Sequence, residues 1–400
     1  MSEAFAAFAG AIAGFAAGLI PGMHVNTLLA VLAGLSYLDA FNPFQVAVFI
    51  VSLSISHAAS SFIPSVLLGA PADSSLLSVL PGHRLLREGR ALHAVFFSLT
   101  GCFFSFFASF LVAIPLVLFL LASKELLEEL IPLLLFSLMG FVVLSEESDR
   151  KAVYSLSVSL AAGAFGLVTL RASFGFDSLF PALTGLFGVS SLSYALLKKH
   201  SLPTQSPFIP GLPAAPALLE SVKACLAGSL LGFFPAIGSG QAAIAASKLM
   251  GVKGSENYLL LVGGIASSSA VFGLVALFFF SEAHSGAIAH LQSFSPNPSI
   301  EELAFLFLAM LFSLCLSVFL TLLLARKAVE LMQNADYFYL NLSTLAFLLL
   351  VVVLATGVEG LLVCVTGALV GLTALLTETK RINLVAFLST PTLLLRFGFS

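Results

Sequence analysis

The apolar residues of this chain come in long runs, many of them about 20 residues, separated by short polar segments. A helix of that length crosses roughly 30 Å of hydrocarbon. The runs lack the alternation typical of a membrane β-barrel. The pattern therefore predicts an all-α polytopic membrane protein. The predicted apolar helices are residues 3–20, 26–38, 45–69, 91–122, 129–145, 152–171, 178–197, 217–234, 237–250, 257–281, 301–325, 337–356, 358–377 and 383–396.

Glycine and proline break the apolar pattern at two corresponding places. The first break is Gly18-Leu-Ile-Pro21-Gly22-Met-His24-Val-Asn26-Thr27, and the second is Gly232-Phe-Phe-Pro235-Ala-Ile-Gly238-Ser239-Gly240-Gln241. A membrane helix tolerates a break only where the freed backbone groups face protein, water or a ligand. Breaks at matching positions in two halves of a chain indicate the binding site of a transporter.

Composition agrees with a membrane protein. The 400 residues are 59% hydrophobic and 9% charged, whereas a soluble domain carries about 25% charge. The net charge of −3 offers no basic footprint for nucleic acid, so no nucleic-acid partner is expected. The only partner that composition itself predicts is the lipid bilayer.

The distribution of Lys and Arg predicts the topology, because short cytoplasmic loops collect positive charge. If the basic loops all lie inside, the N-terminus lies outside and the two halves run in opposite directions. We therefore expect residues 1–200 and 217–400 to form inverted-topology repeats, joined by the proline-rich linker 201–216. Each broken hairpin would place its tip near the membrane midplane. The basic loops are 84–90, 150–151, 198–199, 248–253, 326–327 and 380–381.

The broken tips suit charged ligands. A helix that starts inside the membrane presents unpaired N–H groups and the positive end of its dipole to an anion. A helix that ends there presents carbonyl groups, which suit Na⁺ or a proton-bearing group. The substrate-binding candidates are Pro21, Gly22, His24, Asn26, Thr27, Pro235, Gly238, Ser239, Gly240 and Gln241.

A second set of candidates would form a polar pathway or a cation site. His57 serves the site in one interpretation and is a core histidine bonded to a carbonyl in the other. The serines equally suit close helix packing, and Asp73 is either a cation ligand or a loop cap. No basic or acidic residue is recognisable at mid-membrane. The pathway candidates are His57, Ser60, Ser61, Asp73, Ser267, Ser268 and Ser269.

No motif in the sequence indicates catalysis, a nucleotide site or a metal site, so neither an enzyme nor a resident cofactor is expected. Transport would then be secondary or partner-driven, with Na⁺ or H⁺ as the suspected coupling ion.

The motifs resemble the TctA-type large membrane subunit of tripartite tricarboxylate transporters, in a short, archaeal-type version. The resemblance rests on the first break, on Leu80-Pro81-Gly82-His83-Arg84-Leu-Leu-Arg87-Glu-Gly89-Arg90, on Gly232 to Gly238, and on Ser285-Gly286-Ala287. Ala236 stands where the second family motif usually has glycine. The resemblance implies cation-coupled uptake of di- or tricarboxylates across the cytoplasmic membrane, with a small membrane subunit and an extracytoplasmic binding protein as partners. It places substrate contacts at Pro21, Gly22, Asn26, Pro235 and Gly238.

Other functions remain open at this point. A translocase for polyprenyl phosphate or another lipid phosphate would also use helix ends that hold an anion. An intramembrane enzyme would require a titratable pair, for which His24 and His57 are the candidates, and a scaffold would require no site. The chain could also act as a homo-oligomer.

Overall fold

The helical class predicted from the apolar runs is confirmed. The computed structural model describes residues 2–20, 23, 25, 28–29, 32, 41–68, 79–172, 174–176, 178–198, 203–209, 211, 214–234, 237–332 and 336–397. These residues are nearly all helical and include no β-strand. Eight of the described helical segments are long and apolar enough to cross a membrane, so the chain is a multi-pass membrane protein.

The helices fall into two groups along the chain, and the first helix of the second group begins at Ala214, inside the stretch 201–216 that was predicted to be a linker. In the first half they are α1 (Glu3–Gly18), α2 (Pro43–Ser60), α3 (Phe62–Leu68), α4 (Val79–Arg87), α5 (Ala91–Leu144), α6 (Asp149–Arg171), α7 (Leu179–Leu183), a π-helical segment (Thr184–Val189) and α8 (Ser190–Lys198). In the second half they are α9 (Ala214–Phe233), α10 (Ser239–Leu249), α11 (Ser255–Phe280), α12 (Gly286–Phe294), α13 (Ile300–Met332), α14 (Tyr337–Leu376), a 3₁₀ segment (Arg381–Val385) and α15 (Ala386–Arg396).

Of two predicted helix boundaries, one is absent from the structure and the other is present. The helices predicted at 91–122 and 129–145 form one continuous helix, α5. The boundary predicted between 356 and 358 is confirmed, because α14 consists of two helices that meet at Gly357. That residue has a φ of 67°, which a residue without a Cβ adopts at no steric cost.

Two segments predicted as loops contain helices. Residues 84–90 overlap α4, and the polar stretch 281–299 contains α12. The loop prediction was wrong there because polarity alone does not prevent a short amphipathic helix. In α12 the start is also capped locally, since the Ser285 hydroxyl accepts the Ile288 N–H at 3.3 Å.

Glycines on α1 bring it against α2. A Cβ at Gly14 would overlap the Leu53 carbonyl oxygen, and one at Gly18 would lie 2.6 Å from the carbonyl oxygen of His57. Both pairs advance along the two helices in the same direction, so α1 and α2 run parallel.

The second half repeats this arrangement. A Cβ at Gly228 would lie 3.0 Å from the Ser268 Cβ, and one at Gly232 would lie 2.7 Å from the Phe272 carbonyl carbon. These pairs also advance together, so α9 and α11 run parallel, and α10 is the return arm between them.

The two halves pack through α5 and α11. Gly263 lies against the Ser98 carbonyl group, and the Ser267 hydroxyl donates to the Cys102 carbonyl oxygen at 2.6 Å. At the start of the same two helices Arg90 forms an ion pair with Glu256. α5 and α11 therefore run parallel, with their N-terminal ends together.

α2 and α13 make the corresponding contact. The Phe44 and Phe305 rings near the two helix starts have centroids 5.7 Å apart. Beyond the end of α13, the Tyr337 hydroxyl donates to the Leu67 carbonyl oxygen at 3.2 Å. These helices also run parallel.

Gln205 anchors the linker. Its side chain is buried, accepts the Ala91 N–H at 3.2 Å and donates to the Leu86 carbonyl oxygen at 2.9 Å. The linker is thereby held against the junction of α4 and α5.

Candidate functional site

The second broken region separates two helices. α9 ends at Phe233 and α10 begins at Ser239. Gly238 caps α10 in an extended conformation, and its N–H donates to the Gln241 side-chain oxygen at 3.0 Å. The Gln241 amide also donates to the Ser389 hydroxyl at 3.3 Å, so this side chain fixes the start of α10 against α15.

The first broken region is tied to α2 by His57. α1 ends at Gly18, and the His57 side chain is buried with its Nε2 2.9 Å from the Met23 carbonyl oxygen. A carbonyl oxygen only accepts, so Nε2 carries the hydrogen in this bond. The carbonyl-bonded histidine foreseen as one interpretation is thus observed, and the carbonyl belongs to the broken segment itself.

A cavity of about 270 Å³ lies between these regions. His57 reaches it from α2, Ser269 from α11 and Leu388 from α15. Gly238 and Ser239 line it at the start of α10, and residues 284–287 line it at the start of α12. Both halves of the chain therefore contribute to one cavity.

Two helix N-termini meet at this cavity. The first N–H groups of α10 and α12 have no partner within their own helices. The positive end of each helix dipole also lies at the cavity. Ser239 and Ser285 add hydroxyl groups at these two ends. The arrangement provides donors and positive potential for an anion without a Lys or Arg side chain among the described residues that line the cavity.

Sequence reasoning missed His284, which lines the cavity just before α12. Its Nε2 lies 3.0 Å from a Glu282 carboxylate oxygen. Burial lowers the pKa of His284 below its ordinary value, with a smaller contribution from the positive charge of Arg396, while Glu282 acts in the opposite direction. The available signal was the Ser285 cap, which predicts a helix start beside this histidine.

The predicted site residues fall into three groups: those that line the cavity, those buried around it, and those outside the described residues. The ones that line the cavity are Gly238, Ser239, His57 and Ser269. The ones that are buried in the packing around it are Gly240, Gln241, Ser60, Ser61, Ser267 and Ser268. The ones that lie outside the described residues are Pro21, Gly22, His24, Asn26, Thr27, Asp73 and Pro235.

The buried serines hold helices together. Ser61 donates within its own helical stretch to the Ala58 carbonyl oxygen at 2.9 Å. Ser268 donates to the Gly264 carbonyl oxygen at 2.7 Å and lies 3.2 Å from that of Ala224 on α9. These bonds match the packing interpretation of the serine clusters, whereas Ser269 reaches the cavity.

We expect His57→Ala to weaken function through the position of the first broken region. The change leaves the half-buried Met23 carbonyl without this donor, at a cost toward the lower end of about 1–3 kcal/mol. Anion uptake by purified protein in liposomes should fall about tenfold, which corresponds to 1.4 kcal/mol. His57→Gln keeps a donor near Nε2 and should recover most of the uptake. Wild-type uptake by the alanine variant would remove His57 from this role.

Comparison with known proteins supports a transporter. The model of the tripartite tricarboxylate transporter TctA family matches residues 4–386. An uncharacterised protein of Methanocaldococcus jannaschii is 27% identical over 395 residues, which cover 96% of each chain. No solved structure matches the chain. Transporters of this family combine the membrane component with a small membrane subunit and a binding protein. Over nearly its whole length, this chain belongs to the tripartite tricarboxylate transporter TctA family.

Proposed function

We propose that this protein is a secondary transporter that moves small organic anions of the di- or tricarboxylate class across the cytoplasmic membrane, coupled to Na⁺ or H⁺. A carboxylate of the substrate is held in the cavity by the backbone N–H groups at the starts of α10 and α12. The observation that carries the proposal is the convergence of these two helix N-termini on one cavity lined by both halves.

The proposal includes an inverted repeat. In each half the helices before and after the break run parallel, and each half packs its post-break helix on a long helix of the other half. α13 follows α11 with only α12 between them, and its start lies beside the start of α2. α2 therefore begins at the end of the bundle where α11 ends. The two helices thus run in opposite directions, as an inverted repeat requires.

The proposed orientation places the cavity mouth outside. Residues 281–299 contain no Lys or Arg, so the positive-inside rule assigns them to the outer face. The N-terminus lies on the same face in this arrangement. Alternating access follows when one part of the bundle moves against the other around the cavity.

The coupling ion is proposed to bind beside the anion. The first broken region contributes carbonyl groups and the side chains of Asn26 and Thr27 to Na⁺, with Asp73 as a further oxygen ligand. His284 and Glu282 supply a titratable pair at the cavity if the ion is H⁺. A small membrane subunit and an extracytoplasmic binding protein are the proposed partners, and the chain itself could form a homo-oligomer.

The acid stability of the protein should depend on His284. Burial lowers the pKa of this side chain below 6.5, so the unfolded imidazole takes up its proton at a higher pH than the folded one. The unfolded state then binds more protons between the two pKa values, and stability falls as the pH drops below about 6.5. His284→Gln should flatten this part of the profile of melting temperature against pH. Ser293→Ala, a change at an exposed residue of α12 away from the cavity lining, is the control and should leave the slope unchanged. Equal slopes for wild type and His284→Gln would exclude this group as the origin.

Uptake into liposomes tests the proposed function. Purified protein is challenged with labelled citrate, succinate and acetate under an imposed inward Na⁺ or H⁺ gradient, with and without the candidate partner subunits. We expect gradient-dependent uptake of the di- or tricarboxylate and little uptake of acetate. Failure with every multivalent carboxylate, together with movement of a polyprenyl phosphate analogue between leaflets, would favour the lipid-phosphate translocase instead.

A further inference from the structure

Arg381 is a buried cation with no counter-charge among the residues that the structure describes. Its side chain is 5% exposed at the start of the 3₁₀ segment. The guanidinium donates from Nη2 to the Phe187 carbonyl oxygen at 2.7 Å and lies 5.6 Å from the centre of the Phe187 ring. Its Nε is buried and has no hydrogen-bond partner in the described part of the chain. The neighbouring carboxylate, Glu146, accepts instead from the Lys380 N–H at 2.9 Å and from the Asn383 amide at 3.4 Å.

The guanidinium reaches the middle of an apolar segment. Phe187 is central in Leu179–Leu197, one of the segments long and apolar enough to cross a membrane. It belongs to the π-helical segment Thr184–Val189, a local distortion that occurs frequently at functional sites. An ionised side chain buried against such a segment is costly and marks a substrate or ion pathway in many membrane proteins.

Seven residues, about two helical turns, separate Arg381 from Leu388 at the cavity. Val385 packs on the second broken region, because a Cβ at Gly238 would lie 2.8 Å from the Val385 Cγ1. Leu388, further along the same segment, lines the cavity. The segment from Arg381 to Leu388 therefore forms the wall between the guanidinium and the start of α10.

Beyond Arg381 lies the end of the bundle, where lysines and carboxylates pair. Lys380 donates to the Ser145 carbonyl oxygen and pairs with Glu146, and Lys248 at the end of α10 lies 3.2 Å from the same carbonyl oxygen. Arg381 thus lies between the cavity and this end of the bundle.

A purely structural role explains little of this arrangement. The bond to Phe187 uses one of the five N–H groups of the guanidinium, and its acceptor is neutral. A methionine would fill comparable space without a buried charge. The planar fork of an arginine instead suits a carboxylate, which two parallel N–H groups bind together.

We propose that Arg381 is a second anion contact on the transport path. It binds a carboxylate group after the anion leaves the cavity past the start of α10 and before it reaches the end of the bundle at Lys248 and Lys380. In the conformation described here the wall at Val385 separates the two positions. The inference rests on the proposed anion transport and adds a residue that the helix N-termini do not provide.

The test compares Arg381→Met and Arg381→Lys with wild type. Arg326→Gln is the matched control, since Arg326 is an exposed arginine in an i,i+4 pair with Glu330. Citrate and succinate uptake into liposomes is measured together with melting temperature. We expect Arg381→Met to melt at or above the wild-type temperature and to lose uptake at least tenfold. Arg381→Lys, which keeps the charge, should recover part of the uptake, and Arg326→Gln should match wild type.

Two results would overturn the inference. One is wild-type uptake by Arg381→Met, and the other is a melting temperature well below wild type, which would assign Arg381 to structure alone. If wild type itself transports no carboxylate, the proposed function fails separately. Thermal protection by citrate then decides the role of Arg381: protection of wild type but not of Arg381→Met supports it, and equal protection contradicts it.

Discussion

Ser239→Asp is expected to abolish anion uptake while the protein still folds. Ser239 lines the cavity in the first turn of α10, where a carboxylate interacts favourably with the helix dipole. The same carboxylate would repel a bound anion. Two unit charges about 5 Å apart repel by about 3 kcal/mol at an effective dielectric constant near 20, which is roughly a 100-fold loss. Initial rates of citrate uptake, normalised to folded protein, measure the effect.

Ser239→Ala is the control for this experiment. It removes the hydroxyl group but leaves the backbone N–H groups and the dipole of α10 in place, so a moderate loss of uptake is expected. The two variants should have similar melting temperatures. If the aspartate variant transports as fast as the alanine variant, the substrate does not bind at the start of α10.

Gly263→Leu is expected to prevent folding. A side chain at this position would overlap the carbonyl oxygen of Ser98, where α11 crosses α5. Relief would require the two backbones to separate along the main contact between the halves, and overpacking of this kind costs at least about 1–3 kcal/mol. Little monodisperse protein should be recovered in detergent, and what remains should melt well below wild type.

Gly140→Leu is the matched control for that variant. It is also a glycine inside α5, but a Cβ there would meet no atom within 4 Å. Normal recovery is expected for this control. Normal recovery of Gly263→Leu as well would show that the close crossing of α5 and α11 is not required.

The second break could be predicted from sequence because glycine and proline interrupt an otherwise apolar helix, and the structure has two separate helices, α9 and α10, on either side of it. The structure adds a second reason for the first glycine of each break. Gly18 and Gly232 lie where α1 and α9 cross their parallel neighbours, and a side chain at either position would collide with that neighbour. The first glycine of each break therefore allows close helix packing in addition to weakening the helix at the break.

The start of α12 was harder to predict. Polar residues from 281 to 299 resemble a loop, and the helix Gly286–Phe294 inside them depends on the Ser285 cap and on burial of Ile288 and Leu291. Its position beside the start of α10 is a long-range contact that local patterns do not contain. Of the two helix starts that form the proposed anion site, only the start of α10 could therefore be predicted from sequence.

The environment of Arg381 could not be predicted either. Together with Lys380 it looked like a topology signal at the end of a loop, and no basic residue was recognised at mid-membrane. The side chain extends inward from that loop, as far as the Phe187 carbonyl group. Side-chain direction at a helix start is decided by tertiary packing.

A structure determined by electron cryo-microscopy with citrate bound tests the central claim most directly. The account predicts density for the anion in the cavity, with carboxylate oxygens within hydrogen-bond distance of backbone N–H groups in the first turns of α10 and α12, near Ser239 and Gly286. Citrate bound elsewhere with this cavity empty would contradict it.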